Sequence, residues 1–312
     1  MHHAEPAPHR VSIRRVGADG EARDLVGDLV RADEQALVLL PAGRGPVTVP
    51  REEIRALRKV PPRVVRPSSG VDDLQRLMAL GWPGVQVVRM GGWSLHVGDG
   101  LSRRANSCLP TGNPERELGR AVDDVAGFYR DRGLRPCFQL AARSWAVDEP
   151  GTALDDALAE RGWTVAEPSQ ALVRDLRSAQ PESPNTLEGL QWAGHPSKDW
   201  LAVEPSSAAR ERVATVVPAH YATLRRAGAV IAAGRLVLTQ DWAGLSCLAV
   251  TPHLRGRGHG RALTIGLMAR ARELGARFCY LQVADHNDSA RGLYQSLGFV
   301  EHHRYHYRER VS

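Results

Sequence analysis

Lysine is nearly missing from this chain. Lys59 and Lys198 are the two in 312 residues, which leaves 39 of the 41 cationic side chains to arginine. Arginine suits phosphate and carboxylate recognition, although a bias in composition alone would give the same excess. A net charge of +6 is a weak pointer to an anionic partner and too little to argue for nucleic acid. The four cysteines, Cys108, Cys137, Cys247 and Cys279, stand far apart with no C-x-x-C pair, which excludes a zinc knuckle and a disulfide framework. They read as small buried hydrophobes. No apolar run reaches the ~18 residues of a membrane helix. The segment Met1–Pro6 lacks both an apolar h-region and an Arg/Ser-rich transit pattern, so the chain is expected in the cytoplasm. A Walker A loop is absent too, because no Gly-Lys-Ser/Thr occurs.

What is present is ordinary globular composition, 43% hydrophobic and 24% charged, in a chain long enough for two or three domains. Strand-like runs at Val11–Val16, Asp24–Arg31, Ala36–Leu40 and Pro46–Pro50, separated by turn signals, predict a small all-β unit over residues 1–66. Its pattern resembles an SH3-like barrel, with Arg51–Leu57 as a last turn or short helix. Pro61-Pro62 and Pro67–Gly70 form the linker. Residues 67–181 and 182–312 follow as two further units, joined by the polar, proline-bearing Gln180–Asn185.

In the second unit, helical spacing of Val71, Leu74, Leu77 and Met78 predicts a helix that Gly81–Gly84 ends. Strands are expected at Val85–Met90 and Trp93–Val97. A helix should run from Pro114, capped by Asn113, to Arg132. A strand over Pro136–Ala141 and a helix over Thr152–Arg161 complete the set. That order recurs near the C-terminus: Gly133–Ala141 is echoed by Gly275–Ala284, and Leu154–Trp163 by Leu293–Phe299. The echo reads as a duplicated helix–strand–helix unit or as a chance likeness between two ordinary αβα stretches.

The chemistry is concentrated in the last third. An apolar strand, Leu245–Val250, enters Thr251-Pro252-His253-Leu254-Arg255-Gly256-Arg257-Gly258-His259-Gly260-Arg261, which opens into a helix with Leu263, Leu267, Met268 and Leu274 on its apolar side. Strand, glycine turn and helix N-terminus together make an anion cradle, because the glycines admit close backbone approach and the first helical amides have no intrahelical partner. A dinucleotide fingerprint would need glycine at 261, where Arg261 stands. Arg255-Gly256-Arg257-Gly258-His259-Gly260 instead resembles the R/Q-x-x-G-x-G/A signature of GCN5-related N-acetyltransferases. Asn287–Phe299 is similar to the N-x-x-A-x-x-L-Y-x-x-L-G-F block that follows in the same family.

The resemblance implies an α/β fold with a mixed sheet splayed at a coenzyme A cleft, behind the all-β SH3-like unit. It implies transfer of an acetyl group from acetyl-CoA to a primary amine, of a small molecule or a protein, by direct attack in a ternary complex. The backbone of Leu248, Ala249 and Val250 would hold the pantetheine and polarise the thioester. The loop Arg255, Gly256, Arg257, Gly258, His259, Gly260 and Arg261 would hold the pyrophosphate. Asn287 would bind the pantetheine, or only cap its helix. Tyr294 would protonate the departing thiolate, or only pack in the core. No metal is implied, and His302, His303 and His306 alternate on a terminal strand instead of converging.

No carboxylate stands on Leu245–Val250, so the general base is open among water held by Ser246 or Gln282, and Glu204, Asp241 or His220. Asp241–Gly244 reads as a turn. The first copy, with one glycine and no arginine in Cys108–Glu115, should not bind coenzyme A but could shape the acceptor site through the stretch Arg103–Cys108, with Trp93 and Asn106 as contacts. A non-catalytic acyl-CoA-binding regulator that contacts protein or nucleic acid is the alternative class. The acceptor, the acyl length and the choice of monomer or homodimer are open.

Overall fold

The computed structural model describes residues 10–17, 19–41, 47–61, 64–98, 100, 102–142, 152–178, 188–203 and 207–310. Pro62, the linker Gln180–Asn185 and Glu204 lie outside these residues. Five antiparallel strands open the chain: β1 (Arg10–Val16), β2 (Ala22–Ala32), β3 (Ala36–Leu40), β4 (Val47–Pro50) and β5 (Ile54–Lys59), in the order β4-β3-β2-β1-β5. Alternation sends Val11, Ile13, Leu37, Leu39 and Val49 to one shared core. Among the described residues β4 and β5 do not pair, so the sheet is open and no barrel closes. Arg51–Glu53 is a single 3-10 turn, and Ile54–Lys59 is a strand where a turn or short helix was expected, because it pairs along β1.

The rest of the described chain shares one mixed sheet of eleven strands. The helix α1 (Val71–Gly81) precedes β6 (Gln86–Met90), β7 (Trp93–Val97), β8 (Cys108–Leu109), α2 (Leu118–Arg130), β9 (Cys137–Ala142), α3 (Thr152–Glu160) and β10 (Thr164–Asp175). Then come β11 (Leu190–Ala193), α4 (Lys198–Val203), α5 (Ser207–Ala214), β12 (His220–Arg226), β13 (Ala229–Thr239), β14 (Trp242–Val250), α6 (His259–Glu273), β15 (Phe278–Ala284), α7 (Asp288–Ser296) and β16 (Val300–Glu309). The helix expected from Pro114 starts four residues later. Glu115 takes a left-handed φ of 61°, Asn113 Oδ1 accepts the Glu115 amide in a local turn, and Glu117 caps the helix through the amides of Gly119 and Arg120.

The strand order, β11-β12-β13-β14-β15-β10-β16-β9-β8-β7-β6, is nearly a mirror. On each side an antiparallel hairpin leads to a parallel pair that brackets a helix: β8 with β9 around α2, and β14 with β15 around α6. The two sides of the sheet thus share a similar strand arrangement. At the centre the last strands are exchanged. β10 pairs with β15, and β16 pairs with β9. Asp155 of α3 fastens the exchange by bonding His306 at 2.9 Å and Arg308 at 2.7 Å on β16.

One core lies under α6 and α7, around Leu263, Leu267, Met268, Leu281 and Phe299. A second lies under α2 and α3, where Trp93, Phe138 and Trp163 stack edge to face. No described helix is long and apolar enough to cross a membrane.

Candidate active site

β14 and β15 pair over four residues only, Trp242–Leu245 against Phe278–Leu281. Gly244 sits inside this paired stretch rather than in the expected turn, which occupies Gln240 and Asp241. A Cβ at Gly244 would lie 2.4 Å from the Tyr280 hydroxyl, so glycine is what lets the two strands start side by side. Past Leu245 they part. Ala249 and Val250 still pair with β13, and Gln170 of β10 still faces Val283, but the facing edges of β14 and β15 have no strand between them.

The cause is a bulge. Arg235 faces Ser246 while Ala233 faces Ala249, so Cys247 and Leu248 together stand opposite Gly234, one residue of extra length on β14. Cys247 takes φ 53°, and bulges of this kind bend a strand away from its neighbour. The cleft so opened has a volume of about 460 Å³ and runs from Leu248, Asn287 and Tyr294 at one side to Trp82, Arg103, Arg104, Glu167, Tyr305 and Tyr307 at the other.

The glycine loop stands beyond the end of β14. Gly256 and Gly258 take φ 73° and 82°, and an added Cβ at either would meet nothing within 4 Å. Their backbone thus faces open space. Gly258 is the N-cap of the fifteen-residue α6, with no side-chain cap and no acid in the first turn, so the first amides and the positive end of the helix dipole point outward. Arg255 Nε donates to the Val250 carbonyl at 3.2 Å, and Arg261 reaches Ser296 Oγ at 2.9 Å. An anionic diphosphate fits this donor set.

Asn287 caps α7, its Oδ1 accepting the Ala290 amide at 3.1 Å. The cap and a contact to the cleft coexist in this one side chain. Tyr294 is both a core and a cleft residue: 7% exposed, edge-on to Phe299, yet lining the opening with its hydroxyl unpartnered among the described residues. Burial, with Cys279 second, pushes its phenol up to about 12. It stays protonated at neutral pH.

Of the residues weighed as bases, Ser246 and Gln282 line the cleft. Asp241 does not. It lies at the far end of β14, paired with Arg66 at 3.3 Å and capping the Arg277 and Phe278 amides with its carbonyl. His220, at the start of β12, also lies away from the lining. The one carboxylate of the lining among the described residues, Glu167, is held by Arg103 at 2.7 Å.

Trp93 and Asn106 serve structure instead of the acceptor. Trp93 donates to the Gly112 carbonyl from inside the core, and Asn106 Oδ1 accepts the Gly98 and Gly100 amides. Their neighbours Arg103 and Arg104 do reach the cleft. Tyr305 and Tyr307, which nothing in the sequence marked, join them because β16 is inserted between the two halves of the sheet. The histidines of β16 also depart from simple alternation. His302 is bulged opposite β10 and lies with Nδ1 2.8 Å from His303 Nδ1.

Residues 68–308 match the family described as Probable histone acetyltransferase Rv0428c C-terminal. The Probable histone acetyltransferase Rv0428c of Mycobacterium tuberculosis is 26% identical over 301 residues, covering 94% of this chain and 92% of its own. The Uncharacterized N-acetyltransferase YobR of Bacillus subtilis is 27% identical over 252 residues, covering 76% and 98%. Among solved structures, a GCN5-related N-acetyltransferase from Kribbella flavida superposes with a TM-score of 0.58 at 17% identity over 78% of this chain and 98% of that one. One from Sphaerobacter thermophilus gives 0.52 at 17% identity over 79% and 87%.

Proposed function

Since the chain belongs to the Rv0428c C-terminal family of acetyltransferases within the GCN5-related superfamily, we propose that it moves an acetyl group from acetyl-CoA to a primary amine by direct attack with both substrates bound. The observation that carries this reading is the parting of β14 from β15 at Leu245 and Leu281, with a glycine-capped helix at one end of the gap and Tyr294 in its wall. An unpaired strand edge accepts an extended chain by backbone hydrogen bonds, which suits a pantetheine arm along Leu248, Ala249 and Val250. Amides of Gly256 to Arg261 hold the pyrophosphate.

In the reaction the amine nitrogen bonds to the thioester carbonyl carbon and the carbon–sulfur bond breaks. Holding the two together supplies the proximity contribution to the rate. The amine's proton leaves through water held at Ser246 and Gln282, since no unpaired carboxylate lines the cleft among the described residues. Tyr294 donates to the departing thiolate. With a phenol near 12 against a thiol near 8.5, it acts chiefly as a hydrogen-bond donor that stabilises the developing charge.

The histone in the name of the mycobacterial relative would supply a lysine as the amine. The charge of the cleft favours another class, argued below. Titration calorimetry with acetyl-CoA, coenzyme A and NADH tests the donor. Micromolar acetyl-CoA binding, about −8 kcal/mol, that Gly258→Asp abolishes is the expected result, followed by amine-dependent thiol release. Binding without any amine-dependent release would favour an acyl-CoA-binding regulator.

A further inference from the structure

The acceptor end of the cleft carries more positive charge than its acids offset. Arg103 is spent: it binds Glu167 at 2.7 Å and Glu309 at 2.5 Å, and Glu309 is shared with Arg135 at 3.2 Å. Arg104 has no such partner among the described residues. Its guanidinium lies 6.0 Å over the Trp82 ring, hydrogen-bonds the Tyr305 phenol and faces that of Tyr307, while its Nε is buried without a hydrogen bond among the described residues.

Arg235, fully buried, lies 5.1 Å over the same Trp82 ring. Its Nε and Nη1 donate to the backbone carbonyls of Ala214 and Gly81, Nη1 lies 3.5 Å from Ser246 Oγ, and Nη2 has no hydrogen-bond partner among the described residues. Gln282, which lines one small space with both arginines, carries an amide whose oxygen and nitrogen are both buried and unbonded among the described residues. The spaces that flank it behind the cleft hold about 10 Å³ each, one water apiece. Two buried guanidinium groups without a carboxylate are costly. The surrounding phenols cannot offset them, because burial keeps Tyr280, Tyr305 and Tyr307 neutral.

Resting on the acetyl-transfer reading, we propose that the acceptor is a small primary amine that itself bears a carboxylate, as a free amino acid does, with Arg104 as its carboxylate receptor and Gln282 bonding beside it. A guanidinium fork matches a carboxylate with two parallel hydrogen bonds. A lysine in a basic peptide brings only positive charge to a positive pocket and is disfavoured. Arg235 is a positioning residue here: its charge acts through Ser246 and the pocket wall without reaching the ligand.

The test is a thiol-release assay on the full chain with acetyl-CoA, using the free L-amino acids, the amines left by their decarboxylation, the matching aminophosphonates and a lysine-rich peptide. The expected result is kcat/KM at least 30-fold higher for one or more amino acids than for the amines they leave. Arg104→Met should remove that preference by raising KM for the amino acid about 100-fold, and Arg104→Lys should restore part of it. Equal rates for amine and amino acid, preference for the peptide, preference for the phosphonates, or equal losses on both substrates in Arg104→Met would each overturn the proposal. Should the Arg104 variants fail to fold, the wild-type panel decides alone. Acetyl-CoA binding to the wild type, measured in parallel, separates the failures: binding with the wrong amine preference overturns this inference only, and absence of binding overturns the transferase reading.

Discussion

Gln75 Nε2 lies 2.6 Å from His303 Nε2 in the buried space between α1 and β16. An amide nitrogen can only donate, so His303 accepts there and carries its proton on Nδ1. That proton goes to His302 Nδ1 at 2.8 Å, and His302 Nε2 donates to the Ser69 carbonyl at 3.1 Å. In the other direction Gln75 Oε1 accepts from Gln139, whose Oε1 accepts from the Tyr307 hydroxyl in the cleft wall. Every bond in the chain points the same way. Gln75→Leu should leave His303 and Gln139 short of a partner and cost about 2–4 kcal/mol, read by urea denaturation. A loss under 1 kcal/mol would show that the chain contributes little.

Tyr294→Phe keeps the ring against Phe299 and removes the hydroxyl that faces the cleft. Turnover should fall roughly 10²–10⁴-fold while acetyl-CoA affinity stays within a few-fold. Unchanged kcat would return Tyr294 to the core alone.

Replacing Gly244 by alanine should destabilise by about 1–3 kcal/mol. The new methyl would meet the Tyr280 ring, which cannot retreat because Gly81 lies equally close on another side. The same substitution at Gly256, where space is open, should cost only the left-handed backbone, about 1–2 kcal/mol. Thermal unfolding of the two variants would rank them, and equal losses would mean that packing at Tyr280 is looser than described.

Acid should weaken the fold through His96. Burial, with Arg89 second, pulls this side chain down to about 4 from an ordinary 6.5. Above pH 6.5 both folded and unfolded chains hold it neutral. Between 6.5 and 4 the unfolded chain takes up a proton that the folded one refuses, so stability falls as pH drops, by roughly 3 kcal/mol in all. Denaturation at pH 7.5, 5.5 and 4.5 should show a shallower decline in His96→Gln than in the wild type. Parallel declines would assign the acid sensitivity to other groups.

The glycine-loop side of the candidate site was legible because its pattern is local. Gly256, Gly258, Asn287 and Tyr294 fall within two short stretches whose spacing is itself the signal, and α3 and β7 begin at Thr152 and Trp93, as expected. The other side of the cleft was legible only in part. The sequence singles out the stretch Arg103–Cys108 and Gln282, and Arg103, Arg104 and Gln282 do line the cleft. Tyr305 and Tyr307 carried no signal, because they reach it only where β16 slots in beside β10, a pairing that no local pattern encodes. The bulge at Cys247 was hidden for a related reason: a left-handed cysteine looks like any other strand residue until its partner strand is known.

The interleaving of β10 and β16 ties the two sides of the sheet together. β10 lies between β15 and β16, and β16 lies between β10 and β9, so a cut between the two sides would strip a central strand from each at once. The side without the glycine loop therefore cannot be removed without taking away the seam on which the cleft is built.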